Sequence, residues 1–111
     1  VIDVDVYLEI SDLFRFRYDP AVLSLIAERP HRFRDLVTRL ESQVAGHVDD
    51  NAVSRSLRRL ADDNHVRKAK MRDGNKIVPV YSITDEGRLS VRVYHAFIDA
   101  YRRIQRDGET A

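Results

Sequence analysis

Arg55, Arg58 and Arg59, together with Asn51 and Ser54, are the side chains of this sequence best suited to gripping a ligand. A guanidinium donates two parallel hydrogen bonds to guanine O6 and N7, or to a phosphate, while an asparagine amide matches adenine. At about 100° per residue, Asn51, Arg55, Arg58, Arg59 and Asp62 fall opposite the apolar stripe Val53, Leu57 and Leu60, with Ser54 at the edge. Such a face taken alone is ordinarily just solvated. Asp62 and Asp63 also stand where they could pair with Arg58 and Arg59 at helical spacing, which would leave Arg55 as the best base-reading candidate.

The neighbourhood strengthens the ligand reading. Residues 51–76 carry eight bases (Arg55, Arg58, Arg59, Arg67, Lys68, Lys70, Arg72 and Lys76) against three acids, although the whole chain has a formal net charge of only +1. Residues 1–14 hold four acids (Asp3, Asp5, Glu9 and Asp12) and no base. Positive charge is therefore concentrated in one contiguous unit, where a polyanion would bind. Arg32 and Arg34 could add phosphate contacts beside the backbone N–H groups at the start of another helix, although plain surface charge describes them equally well.

Other chemistries lack their residues. His31, His47, His65 and His95 are scattered with no metal-ligand spacing, and there is no cysteine, so no metal site or thiol chemistry is expected. Neutral surface histidines are the default. Asp49-Asp50 and Asp62-Asp63 sit at helix ends, where capping suits them better than acid–base catalysis. Four glycines form no phosphate loop and no nucleophile elbow is visible, so neither an enzyme nor a cofactor is expected.

Several elements must position the basic unit. Ile2, Val4, Val6, Leu8 and Ile10 alternate as a strand would, but Val6, Ile10, Leu13 and Phe14 also fit a helical face. Aspartate is a poor strand former, which favours a helix from about residue 4 to 15. Asp19 is placed to cap a helix with Pro20 at its first position and Val22, Leu25 and Ile26 as its stripe, ending at Pro30. Phe33, Leu36, Val37, Leu40 and Val44 predict the next helix, ending near Gly46. Asp49 or Asp50 then caps the helix of about residues 50–63.

From Val66 the pattern turns extended, with Asp73-Gly74 supplying the turn of a hairpin over about 66–83 and Pro79 confined to an edge. Thr84 can cap a last helix over about 85–107, with Leu89, Val93, Phe97, Tyr101 and Ile104 along one stripe that Tyr94 and Ile98 widen. That is more apolar surface than one small domain readily covers, and self-association through it is the economical explanation. An effector pocket around Tyr7, Phe14, Tyr94 and Phe97 is conceivable, with core packing the commoner use of such aromatics.

A chain of 111 residues, 43% hydrophobic and 33% charged, suits one soluble domain spanning 1–111. No run approaches the about 20 apolar residues of a membrane span, and VIDVDVYLEI does not resemble a signal peptide. With no cysteine, a cytoplasmic location is expected.

Helix, helix, basic hairpin, helix is the order of a winged helix-turn-helix, mainly α with a small β-hairpin wing (α+β). RYDPAVLSLIAERPHRFRDLVTRL, NAVSRSLRRLADDNHV and VPVYSITDEGR, in that order over roughly residues 5–95, resemble the HxlR-type bacterial regulators within the wider MarR, PadR and ArsR winged-helix set. The most specific parts are Leu57, Leu60 and Val66, and Tyr81 to Gly87. The resemblance implies a homodimeric transcription regulator that binds double-stranded DNA. Its helix of residues 50–63 would enter the major groove, and its wing would lie on backbone or minor groove.

Carried over by position, Asn51, Ser54, Arg55, Arg58 and Arg59 are the recognition-helix residues, and Lys70, Arg72 and Lys76 flank the wing tip, with Lys68 on the same arm. Leu89, Val93, Tyr94, Phe97, Ile98, Tyr101 and Ile104 would form the dimer interface. The family's frequent N-terminal cysteine is missing, so thiol sensing does not transfer, and Tyr18 stands where tryptophan is usual. A small-molecule effector has no assigned identity. The rival expectation is a winged-helix protein-interaction module that does not bind DNA.

Overall fold

The computed structural model describes residues 1–110; Ala111, the last residue of the expected domain, lies outside them. The order is α1 (Val4–Leu13), α2 (Asp19–Glu28), α3 (Phe33–Gln43), α4 (Asp50–Asp62), β1 (Val66–Asp73), β2 (Lys76–Ile83) and α5 (Asp85–Thr110). This is a winged-helix fold, α+β as expected. The N-terminal segment is helical, with the Asp3 carboxylate accepting the Val6 N–H at 3.2 Å, yet no residue of α1 is buried.

Helix α2 is the hub, packing on α3, α4, α5 and β2. Val22, Leu23, Leu25 and Ile26 meet Leu36, Val37 and Leu40 of α3 and Val53, Leu57 and Leu60 of α4, with Val48, Val66, Val91 and Tyr94 closing the core. The helical spacings read from the sequence supply these faces, and burying them drives the packing. Phe33 and Val44, at the two ends of the α3 stripe, are only partly buried.

The Asp49 carboxylate caps α4 by accepting the Asn51 N–H at 3.1 Å. Asp19 does not cap α2: it is the first helical residue, with Pro20 behind it, and its carboxylate is turned inward. Tyr18 takes the cap position without a side-chain bond.

The hairpin pairs Val66 with Ile83 through Asp73 with Lys76, and Gly74 takes a φ of +60° at the tip, a conformation that favours glycine. His31 adds a second, single-residue pairing on the other side of β2, exchanging backbone hydrogen bonds with Tyr81 at 2.9 and 2.8 Å. Thr84 then joins wing to α5. Its hydroxyl donates to the Asn64 carbonyl at 2.7 Å and accepts the Gly87 N–H at 3.0 Å. Gly87 has to be glycine, because a Cβ there would lie 2.3 Å from the His65 carbonyl oxygen.

The radius of gyration, 16.2 Å, exceeds the roughly 13 Å of a compact domain of this size. The excess comes from α1 and the distal part of α5, which project from the core. Tyr94, expected in a dimer interface, belongs to the core instead: it is 2% exposed and edge-packed against Phe14 at 5.4 Å. Burial pushes its hydroxyl pKa up to about 12. Among the described residues no helix is long and apolar enough to cross a membrane.

Candidate nucleic-acid interface

Helix α4 turns Val53, Leu57 and Leu60 inward and leaves Asn51, Ser54, Arg55 and Arg58 exposed, as the periodicity predicts. Arg59 departs from this set. Its Nη2 and Nε donate to the two Asp19 carboxylate oxygens at 2.7 and 3.2 Å, and its guanidinium lies 3.8 Å from the centre of the Phe16 ring. The Ser56 hydroxyl donates to the same carboxylate at 2.6 Å. This fork, stacked and largely shielded from water, ties α4 to α2 and commits Arg59 to the fold.

The anticipated pairing of Arg58 and Arg59 with Asp62 and Asp63 is not formed. Arg59 prefers a buried carboxylate, where fewer waters compete. Among the described residues Arg55 and Arg58 make no ion pair. Both remain available to a ligand.

The wing's cations are all exposed, but they divide between two faces. The strand period of two and the hairpin register put Lys68, Lys70 and Arg72 on the face that carries Tyr81, while Lys76 and Arg67 belong to the other. Lys68 Nζ lies 5.9 Å from the centre of the Tyr81 ring. Arg32 donates to Asp73 beside the wing tip at 2.8 Å, and Arg34 donates to Asp50 at the start of α4 at 3.0 Å. Exposed pairs of this kind contribute at most about 1 kcal/mol, so a phosphate competes readily for either arginine.

His31 is the residue that sequence reasoning missed. Taken as a surface histidine, it is 2% exposed. Its Nδ1 lies 2.7 Å from the Arg29 carbonyl and its Nε2 2.8 Å from Arg39 Nη1, so a neutral ring that donates through Nδ1 and accepts through Nε2 satisfies both contacts. Burial holds its pKa below the ordinary value, with the Arg39 and Arg29 charges acting the same way against the opposing Arg29 carbonyl and Asp35. Arg39 also donates to Glu28, whose carboxyl it holds below its usual range. Through its backbone pairing with Tyr81, this cluster sets where β2 leaves the core. Its only sequence trace is a histidine next to Pro30.

Tyr7, Phe14 and Phe97 do line one groove, of about 510 Å³ between α1 and α5, but Tyr94 does not reach it. Among the described residues no group of three His, Cys, Asp or Glu could hold a metal ion.

No protein-family model matches the sequence, nor does any curated protein. Solved structures do. A protein described as a MarR-family transcriptional regulator from Enterococcus faecalis is similar at a TM-score of 0.79 and 10% identity, over 100% of this chain and 96% of that one. A PadR-like transcriptional regulator from Bacillus cereus is similar at 0.76 and 14% identity, over 91% and 99%. Bacillus subtilis PadR, solved in complex with operator DNA, is similar at 0.61 and 16% identity, over 68% of this chain and 44% of that one. At these identities the likeness establishes a shared winged-helix fold.

Proposed function

We propose that this protein is a sequence-specific DNA-binding transcriptional regulator of the HxlR type, acting as a homodimer in the bacterial cytoplasm. The observation that carries the reading is convergence. Arg58 of α4 and Lys68 of the wing line one cleft, Arg55 is exposed on the same helix, and Lys70 and Arg72 share the wing face of Lys68. Among the described residues neither arginine makes an ion pair, and no group of three His, Cys, Asp or Glu could hold a metal ion. The likeness to transcriptional regulators, one of them crystallised on its operator, supports the same reading.

In this function α4 enters the major groove, where Arg55 donates to guanine and Asn51 contacts a neighbouring base edge, while Ser54 lies toward the wing. The wing lies along the backbone, Lys70 and Arg72 meeting phosphates, with Arg32, Arg34 and Lys76 as outlying contacts. The apolar face formed by Leu89, Val93, Phe97, Ile98, Tyr101 and Ile104, continued by α1, joins two copies. Two recognition helices about 34 Å apart would then read a palindromic site. A small apolar effector would enter the α1–α5 groove.

The test is binding to mixed duplex DNA, followed by fluorescence anisotropy at two salt concentrations. Binding that weakens steeply with salt and collapses in R55A/R58A supports the reading. Absence of binding by the unaltered protein at low salt overturns it in favour of a protein-docking module.

A further inference from the structure

Between α4 and the wing lies a cleft of about 330 Å³, which Arg58 lines and Arg55 does not. Ser54, Arg58 and Asp62 of α4 line it together with Lys68 of β1 and Tyr81 of β2. Two cations on two different elements therefore look into one opening only a few side chains wide. Neither is committed elsewhere by an ion pair among the described residues, and Arg58 leaves even Asp62, four residues on, unpaired.

The cleft is held in shape from behind. Lys68 packs over the Tyr81 ring, Tyr81 is fixed by its reciprocal backbone bonds to His31, and Leu57 roots α4 in the core. A preorganised opening with two converging donors and a hydroxyl suits a compact, singly charged, multi-acceptor group better than a flat base edge.

We infer that this cleft seats one backbone phosphate of bound DNA, clamped jointly by Arg58 from the helix and Lys68 from the wing, with the Ser54 hydroxyl donating to it. The inference deepens the DNA-binding reading above and rests on it. It assigns the three arginines of α4 to three different tasks. Arg59 holds the fold, Arg58 grips the backbone, and Arg55 alone is left to read bases. Asp62 opposes the phosphate from the rim and moderates the grip.

The experiment is the salt dependence of affinity for mixed duplex DNA, measured for the unaltered protein, R58A, K68A, R58A/K68A, R58K and D62N. Each phosphate contact contributes about one to the slope of log affinity against log salt. One shared phosphate predicts a slope reduced by about one in the double variant, with each single variant already losing most of that. Two independent phosphates would give a reduction of about two, and an empty cleft none; either result overturns the clamp. R58K should retain the slope, and D62N should tighten binding; an unchanged D62N also counts against a phosphate in the cleft.

All five variants are altered only at the exposed positions Arg58, Asp62 and Lys68, and unchanged thermal unfolding confirms that each is folded. If the unaltered protein shows no salt-dependent binding at all, the DNA reading itself has failed. If it binds and only the slopes disagree, the clamp alone has failed.

Discussion

The winged head and the projecting stalk of this molecule are built from the same helical pattern and end in opposite states. In the head, the stripes of α2, α3 and α4 close on one another, and Leu23, Leu36, Leu40 and Val53 are shut off from water. In the stalk, made of α1 and α5 beyond Tyr94, the stripe continues in register, but Tyr101 and Ile104 remain 63% and 68% exposed. A periodic apolar face declares that something will cover it, and it does not name the partner. In the head the partner is the chain itself; in the stalk we propose a second copy.

Breaking the head should have the largest effect. Leu36→Ala leaves a cavity at the α2–α3 contact and is expected to cost about 3 kcal/mol or more, read by chemical denaturation. Asp19→Ala should follow closely, at about 3 kcal/mol, because it strands the Arg59 guanidinium against Phe16 and leaves the buried Ser56 hydroxyl without its acceptor. A thermal melt of that variant indistinguishable from the parent would mean that the ion pair is ornamental. Gly87→Ala, which drives a methyl group into the His65 carbonyl at the junction of wing and α5, should cost about 2 kcal/mol.

Acid should act on the head through His31. Its pKa is lowered on folding, so as pH falls below the ordinary 6.5 the unfolded chain binds a proton that the native ring refuses. Stability attributable to His31 is therefore intact above that pH and declines beneath it. Protonation of Glu28, whose pKa is also lowered, adds a separate loss only below its ordinary 4.5. Denaturation midpoints followed between these two values should slope downward with acid, and His31→Asn should flatten the slope.

The smallest effect on unfolding belongs to the stalk. Tyr101→Ser with Ile104→Ser should shift the stability of dilute protein by no more than about 0.5 kcal/mol per site. The same pair should convert a dimer to a monomer in light scattering. A protein that is monomeric before the substitution would erase the proposed contrast between the two regions.

Much of this was legible in the residues. The stripes, the Asp-Gly turn and the Thr84 cap are local signals, each expressed within a few positions of chain, and they specify helices, hairpin and wing in order. The exposed basic face of α4 followed from the same arithmetic. Arg59 shows where that arithmetic stops: by spacing it sits with Arg55 and Arg58, yet Asp19, forty positions away, captures it. His31 and Tyr94 were misplaced for the same reason, since nothing near them in sequence shows that α3, β2 or Phe14 will enclose them.

The sequence by itself determined the kind of element at each position, the face it offers, and where positive charge gathers, because these depend on backbone geometry repeated over a few residues. Only the tertiary structure decided which arginine is spent on the fold, which histidine is kept neutral, and which two cations share a cleft. Those outcomes depend on distances between residues far apart in the chain, and on how much water is left between them.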